Sequence, residues 1–195
     1  MDEKLLQTIK ELNNLRNKLS ALFSLYNASL LQAEENRMNL GGFYEQMVDY
    51  KNDLNLITKQ IGLVAKAQRT LEYNKNISKI NSINDGIDSV SNNFQSACKS
   101  YRVALKDCGS LKTEYKQEFS ELIKEFKASK NESTQAAIIK GYNQQVHIIK
   151  TIFNRIELLI ADYNQKRNKV EEDSERFVAL KNSVNVILNS LEQIA

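Results

Sequence analysis

The sequence predicts an all-α fold, an elongated antiparallel bundle of about four long, coiled-coil-like helices with a protruding two-helix arm. The chain has 195 residues, no proline and only six glycines, and tight turns depend on those two residue types. Apolar residues recur at alternating steps of three and four, which is the spacing of one helix face. Few turns and a helical period together predict long helices, and we expect one elongated helical domain over residues 1–195.

The first helix is predicted over residues 2–40. Its apolar residues follow steps of four and three from Leu5 to Leu40, and neighbouring leucines widen the stripe, as a bundle requires. Gly41 and Gly42 follow the last residue of this series. Glycine just past a helix tolerates the left-handed backbone angle of a C-terminal cap, so we predict that the chain turns there.

The second and third helices are predicted over residues 43–74 and 82–129. The apolar series of the second helix, continued in phase beyond Leu71, meets only polar residues, whereas a new series starts at Ile77. The change of phase falls in an Asn- and Ser-rich stretch, residues 74–86. It favours a break or a sharp kink in the chain, and a continuous helix with a rotated apolar face is the alternative.

The fourth helix is predicted over residues 133–194. A polar tip precedes it and holds a capping-box pattern, Ser129 followed three residues later by Glu132. Short connections make consecutive helices antiparallel. The third and fourth helices are longer than the first two, so their shared end, around this tip, predicts the protruding arm.

Close packing sets large side chains against small ones, and this rule predicts a register. A fold about the polar tip sets Tyr163 opposite Ala97 and Cys98, and a fold about the glycine pair sets Gly62 opposite Ala21. Because a glycine inside a helix costs about 1 kcal/mol, we predict that Gly62 and Gly109 are there for close packing.

The sequence holds no recognisable catalytic or metal-binding constellation. His147 is the only histidine, whereas zinc sites need more Cys and His and di-iron bundles need Glu-x-x-His on two helices. Cys98 and Cys108 are ten residues apart, about 15 Å along one helix, which is too far for a disulfide. No glycine-rich phosphate loop occurs. We expect two reduced thiols, with a regulatory or intermolecular disulfide as the alternative, and no enzyme activity, cofactor or metal.

Two charged groups are candidate contact sites. Four basic residues share the outer face of the third predicted helix and form a stripe that suits an anionic partner; they are Lys99, Arg102, Lys106 and Lys116. A segment with strong charge contrast contains Lys166, Arg167, Glu171, Glu172 and Asp173. Its first and last residues occupy positions of the apolar series, and polar residues there set register or partner choice in coiled coils. We predict a partner contact at this segment; for both groups, a solvated face is the alternative.

The predicted function is that of a helical scaffold or interaction protein that packs its helices against a second copy or a protein partner. One alternative is a membrane-surface binding or remodelling protein of the crescent-shaped helical type; another is a component of a helical pore-forming toxin. The polar tip argues against the toxin. The formal net charge is only +3, and the aromatic residues lie within the apolar series, so nucleic acid is not an expected partner. No small-molecule substrate is expected.

The chain starts with Met1, Asp2 and Glu3, which does not resemble the basic start and apolar run of a signal peptide. No apolar run approaches the roughly 18 residues that span a bilayer. We expect a cytoplasmic protein, and export by a route that needs no signal peptide is the alternative.

Overall fold

The computed structural model describes residues 2–194, without the side chains of Lys106 and Asp107. The helices are α1 (Asp2–Leu63), α2 (Arg69–Val103), α3 (Lys106–Ser129) and α4 (Ala136–Glu192), with one 3-10 turn, Lys66–Gln68, before α2. Over the described residues the chain contains no strand, so the predicted all-α class is confirmed. Only two residues separate α2 from α3, so the chain forms three long helical segments.

The chain divides into two compact units. The first unit contains Met1–Gln32 and Arg102–Lys166, and the second unit contains Ala33–Tyr101 and Arg167–Ala195. Each unit is built from part of α1, part of the α2–α3 segment and part of α4. The predicted single domain over residues 1–195 stays a prediction.

In the first unit, α1 and α4 each run antiparallel to α3. Two ion pairs show the first direction, since Lys4 Nζ lies 3.5 Å from Glu125 Oε1 and Lys18 Nζ lies 3.2 Å from Glu118 Oε1. Aromatic pairs show the second. Phe126 stacks on Tyr142 with ring centres 3.7 Å apart, and Phe119 meets Phe153 at 5.8 Å. In the core of this unit, buried residues recur at every seventh position. They are Leu5, Leu12, Leu19 and Tyr26 on α1, and Tyr142, Ile149, Ile156 and Tyr163 on α4.

The second unit repeats this arrangement with α2 as the central helix. Lys79 Nζ lies 2.9 Å from Asp53 Oδ1 of α1, and Lys181 Nζ of α4 lies 3.4 Å from Asp88 Oδ1. Its core series on α2 is Tyr73, Ile80, Ile87, Phe94 and Tyr101, and its core series on α4 is Val170, Phe177, Val184 and Leu191. Each consecutive pair of segments is therefore antiparallel, as the short connections predict.

The predicted turn at Gly41 and Gly42 is wrong, because α1 continues through both residues. Leu40 and Met47 are both buried, one on each side of the glycines. Burying such side chains contributes about 1.5–3 kcal/mol each, which exceeds the helix cost of the glycines. No glycine of the described chain has a positive φ. The predicted helices 2–40 and 43–74 are therefore corrected to one helix, and the protruding arm, which depended on this turn, is not confirmed.

The predicted break within residues 74–86 is also wrong, and the alternative of a continuous helix is confirmed there. The mistake came from Leu71, which is exposed, whereas the buried series of α2 starts two residues later at Tyr73. The chain turns instead at Val64 and Ala65, between α1 and the 3-10 turn. The interruption of the predicted helix 82–129 lies at its centre, between α2 and α3.

Asn131, rather than the predicted capping box, organises the turn between α3 and α4. The Asn131 Oδ1 atom accepts hydrogen bonds from the backbone N–H of Ser133 at 3.0 Å and from its hydroxyl at 2.8 Å. The Asn131 N–H donates to Thr134 Oγ1 at 3.0 Å. As a result, α4 begins at Ala136 and not at residue 133.

The longer turn shifts the register between α4 and its neighbour. Tyr163 donates its hydroxyl hydrogen bond to the carbonyl of Arg102 at 2.7 Å, which is about one helical turn from its predicted position opposite Ala97 and Cys98. Gly62 lies on the same helix as Ala21, so the predicted pairing of these two residues is wrong. A Cβ atom added at Gly62 or Gly109 would meet nothing within 4 Å, and neither glycine has the predicted packing role.

Candidate functional site

The predicted partner contact of α4 falls where the two units divide. Lys166 ends one part of the first unit, and Arg167 begins a part of the second. Lys166 is half-buried, and its Nζ lies 3.1 Å from Asp162 Oδ2, one turn earlier on the same helix. Arg167 and Glu172 are exposed, and Glu171 is half-buried. Lys166 is therefore engaged within α4, and the contact with a protein partner stays a prediction.

Asp173 is the member of this segment that lines a concave surface. In the second unit, a groove of about 280 Å³ is bounded by Leu40, Gly41, Tyr44 and Glu45 of α1, Phe94 of α2, and Asp173 and Arg176 of α4. The wall is open at Gly41 because a Cβ there would meet nothing within 4 Å. Phe94 is buried and stacks on Phe177 with ring centres 3.9 Å apart, so the floor is rigid and apolar. Such a groove suits an apolar side chain flanked by polar groups.

The four residues of the predicted basic stripe are divided between the two units. Lys99 belongs to the second unit, whereas Arg102, Lys106 and Lys116 belong to the first. Lys99 and Lys116 are exposed and Arg102 is half-buried, and the side chain of Lys106 lies outside the described part of the structure. An anionic partner for these residues remains a prediction.

A side chain of α4 forms a hydrogen bond with the backbone next to the interruption between α2 and α3. The last carbonyl groups of a helix lack intrahelical partners, and the Arg102 carbonyl is one of those near the end of α2. The buried Tyr163 hydroxyl supplies its hydrogen bond. No glycine or proline marks this interruption, since the residues there are Ala104 and Leu105, so the sequence gives no signal for it.

A small group of titratable side chains lies nearby in the first unit, around Tyr26. Burial is the largest cause that raises the pKa of Tyr26 to about 12, and the nearby Cys108 and Glu157 contribute the rest of this shift. Glu157 Oε1 also lies 2.8 Å from Lys112 Nζ. At neutral pH the Tyr26 hydroxyl therefore stays protonated, and it can donate a hydrogen bond but cannot act as a base.

The remaining candidates for chemistry are separate from one another. Cys98 is buried in the second unit and Cys108 is buried in the first, and neither forms a disulfide. His147 lies exposed on α4. Within residues 2–194, no group of three His, Cys, Asp or Glu side chains is arranged to hold a metal ion. No helix in that range has a stretch long and apolar enough to cross a membrane.

The first unit exposes an apolar stripe that the sequence reasoning missed. Ala21, Leu25, Ala28 and Leu31 of α1 are all exposed, with exposed fractions of 50 % for Leu25 and 60 % for Leu31. At about 100° per residue, these four positions fall within roughly a third of the helix circumference. A second apolar series, offset from the buried leucines, was the available signal. We call these four residues the α1 stripe.

Comparisons with known proteins identify no family. No protein-family model matches the chain, and no curated protein matches it. Among solved structures, a computationally designed three-helix bundle is similar over 100 % of this chain and 94 % of that chain, with a TM-score of 0.47 and 14 % sequence identity. A TM-score at this level carries no argument about function.

Proposed function

We propose that the chain is a non-enzymatic interaction protein that packs one of its helices against a helix of a second copy or of a protein partner. The observation that carries this proposal is the α1 stripe. Four apolar side chains, two of them leucines at least half exposed, follow one face of α1 within the first unit. Contiguous apolar surface on a protein commonly marks a binding site.

The composition of the α1 stripe favours a helix as its partner. Ala21, Leu25 and Ala28 follow steps of four and three, which is the spacing that fits knobs into the holes of a facing helix. The alanines allow a second backbone to approach closely, and the leucines between them supply most of the apolar area. A flat sheet or an irregular loop would not match this period.

The groove of the second unit supports the same kind of function. Its floor at Phe94 is apolar, and its rim carries Glu45, Asp173 and Arg176. An apolar core surrounded by a polar rim is the usual composition of a protein interface. A partner side chain inserted there would meet Asp173, which is one residue of the predicted contact segment.

Sedimentation equilibrium over a wide concentration range tests the proposal. The variant Leu25→Gln/Leu31→Gln is compared with the control Leu158→Gln, since Leu158 is an exposed leucine on α4 of the same unit. We expect the chain to self-associate, the double variant to weaken association at least tenfold, corresponding to about 1.4 kcal/mol, and the control to behave as the original chain. Equal association of all three proteins contradicts a role for the α1 stripe.

If the original chain stays monomeric, the partner is another protein, and a photo-crosslinking side chain at position 25 identifies it. The same crosslinker at position 158 is the matched control, because both positions are exposed in the first unit. We expect one discrete adduct from position 25 and none from position 158. Matching adduct patterns at both positions, or no adduct at either, contradict the proposal.

A further inference from the structure

The turn between α1 and α2, in the second unit, exposes large apolar side chains. Leu63 ends α1 with 78 % of its surface exposed, and Leu71 lies in the first turn of α2 with 61 % exposed. Leu56 is 52 % exposed and lies seven residues before Leu63, which places both on one face of α1. The residues between the two helices include the small apolar residues Ala65 and Ala67, both exposed. We call residues 56–71 the basic-apolar turn.

Basic side chains alternate with these apolar ones. Lys59 shares the face of Leu56 and Leu63, since the three are spaced three and four apart, and Lys66 and Arg69 lie in and directly after the 3-10 turn. All three cations are exposed. None of them has a carboxylate partner among the ion pairs of the described residues.

The acidic residues near this end of the second unit do not neutralise these cations. Glu72 is paired with Lys75, with Oε2 and Nζ 2.9 Å apart. The end of α4 is adjacent, because the Thr70 hydroxyl donates to the Ile194 carbonyl at 3.4 Å, and it carries the exposed Glu192. The three unpaired cations outnumber this one free carboxylate, so the surface has a net positive charge.

We propose that the basic-apolar turn docks onto an anionic membrane surface. Leu63 and Leu71 enter the boundary between headgroups and acyl chains, and Lys59, Lys66 and Arg69 bind lipid phosphates and carboxylates. Exposed apolar side chains combined with Lys and Arg are what stable interfacial binding requires, because neither signal alone holds a protein there. Long basic side chains also lay their stems along apolar surface while the charges stay at the headgroups.

A protein partner fits this surface less well than a lipid surface. The apolar side chains lie at a turn and on two different helices, so they do not form the single-helix face that a partner helix would match. A lipid boundary needs no fixed register, and it offers many negative charges to cations that are spread over residues 59–69. The charge complementarity therefore favours an anionic lipid surface.

Vesicle flotation with the full chain tests the proposal. The vesicles contain phosphatidylcholine alone or phosphatidylcholine with phosphatidylserine, at low and at physiological salt. Each Lys or Arg close to an anionic surface contributes about fivefold to binding, so three cations give roughly 100-fold tighter binding to the anionic vesicles. We expect this preference to shrink as salt screens the charges. Absence of binding to anionic vesicles at low salt overturns the proposal.

Paired variants locate the binding surface. Lys66→Gln/Arg69→Gln is expected to weaken binding to anionic vesicles by about 25-fold. The control Lys124→Gln/Lys150→Gln removes the same charge from exposed positions of the first unit and is expected to change binding by less than about twofold, since neither residue belongs to the basic-apolar turn. Equal loss in both variants overturns the proposal, because it would show a response to net charge alone.

A second pair of variants tests the contribution of the apolar side chains to vesicle binding. Leu63→Ser/Leu71→Ser is expected to weaken binding at least tenfold, while the control Leu6→Ser/Leu158→Ser, at exposed leucines of the first unit, leaves it unchanged. All four side chains are exposed, so we expect these variants to keep their helices, and thermal unfolding checks this. If Leu63→Ser/Leu71→Ser binds vesicles normally but lowers the molar mass in sedimentation, the turn is a self-association surface and the membrane proposal is wrong.

Discussion

Replacing Gly86 by alanine is expected to destabilise the second unit, although alanine is the better helix former. Gly86 lies in the middle of α2, and the Tyr50 side chain of α1 packs against its backbone. A Cβ at position 86 would overlap the Tyr50 hydroxyl oxygen and would lie 2.9 Å from Cζ and 3.3 Å from Cε2 of the same ring. Contacts this close require the tyrosine to move.

The magnitude follows from two opposing terms. Alanine gains about 1 kcal/mol over glycine inside a helix, whereas forcing a packed side chain aside costs typically about 1–3 kcal/mol. The net expectation for Gly86→Ala is a loss of about 1 kcal/mol in the free energy of unfolding. Gly42 is the matched control in the same unit, because a Cβ there meets nothing within 4 Å. Gly42→Ala should therefore be stabilising by about 0.5–1 kcal/mol.

Thermal unfolding followed by circular dichroism measures both variants. For a chain of this size, 1 kcal/mol corresponds to about 2–4 °C in Tm, so the two substitutions should move Tm in opposite directions by similar amounts. Combining Gly86→Ala with Tyr50→Ala removes the obstacle, and Gly86→Ala should then be stabilising relative to Tyr50→Ala alone. If Gly86→Ala raises Tm as much as Gly42→Ala does in the original chain, the contact with Tyr50 does not exist and the reasoning is refuted.

Three further predictions, with four substitutions, concern the first unit. Tyr163→Phe leaves the Arg102 carbonyl without its side-chain donor and should lower the free energy of unfolding in urea by about 1 kcal/mol; no change would mean that water replaces the hydroxyl. Asn131→Ala should lower the free energy of unfolding by a similar amount, about 1 kcal/mol, whereas Glu132→Ala should change it by less than about 0.5 kcal/mol. A larger loss for Glu132→Ala than for Asn131→Ala would mean that the predicted capping box, and not Asn131, stabilises this turn. The raised pKa of Tyr26, about 12 against an ordinary 10.0, means that its contribution to stability is complete below pH 10 and is lost as pH rises towards 12. Alkaline unfolding of Tyr26→Phe should therefore be less steep between those values, and identical curves would contradict the shift.

The helical class was predictable because it depends on properties that the whole chain shares. The absence of proline excludes many turns, and every seventh residue of α1 from Leu5 to Ile61 is apolar and buried. The positions of the turns were harder to predict because they depend on single residues. Leu71 continued an apolar series by its spacing, but it is exposed and Tyr73 is buried. Gly41 matched a helix cap in type, yet the burial of its neighbours keeps the helix intact.

The candidate surfaces were predicted only in part, for a related reason. The charge contrast after Lys166 was visible in the sequence, but the groove beside Asp173 needs residues from three helices, and its wall depends on a glycine that the sequence assigned to a turn. The α1 stripe and the basic-apolar turn consist of exposed apolar residues. The spacing of apolar residues along one helix does not show which of them are exposed, because the neighbouring helices decide which side chains are buried.

The two adjacent glycines of α1 also bear on how the groove moves. Compared with two alanines, Gly41 and Gly42 make the helix less stable by about 2 kcal/mol at those positions, and both residues are exposed. Local opening of α1 there is correspondingly easier, and about 30-fold faster amide hydrogen exchange is expected than in an alanine-containing turn. Because Gly41 forms one wall of the groove while Phe94 and Phe177 stack at its floor, the groove combines a packed base with a side that opens more easily, so its width is expected to vary more than its depth.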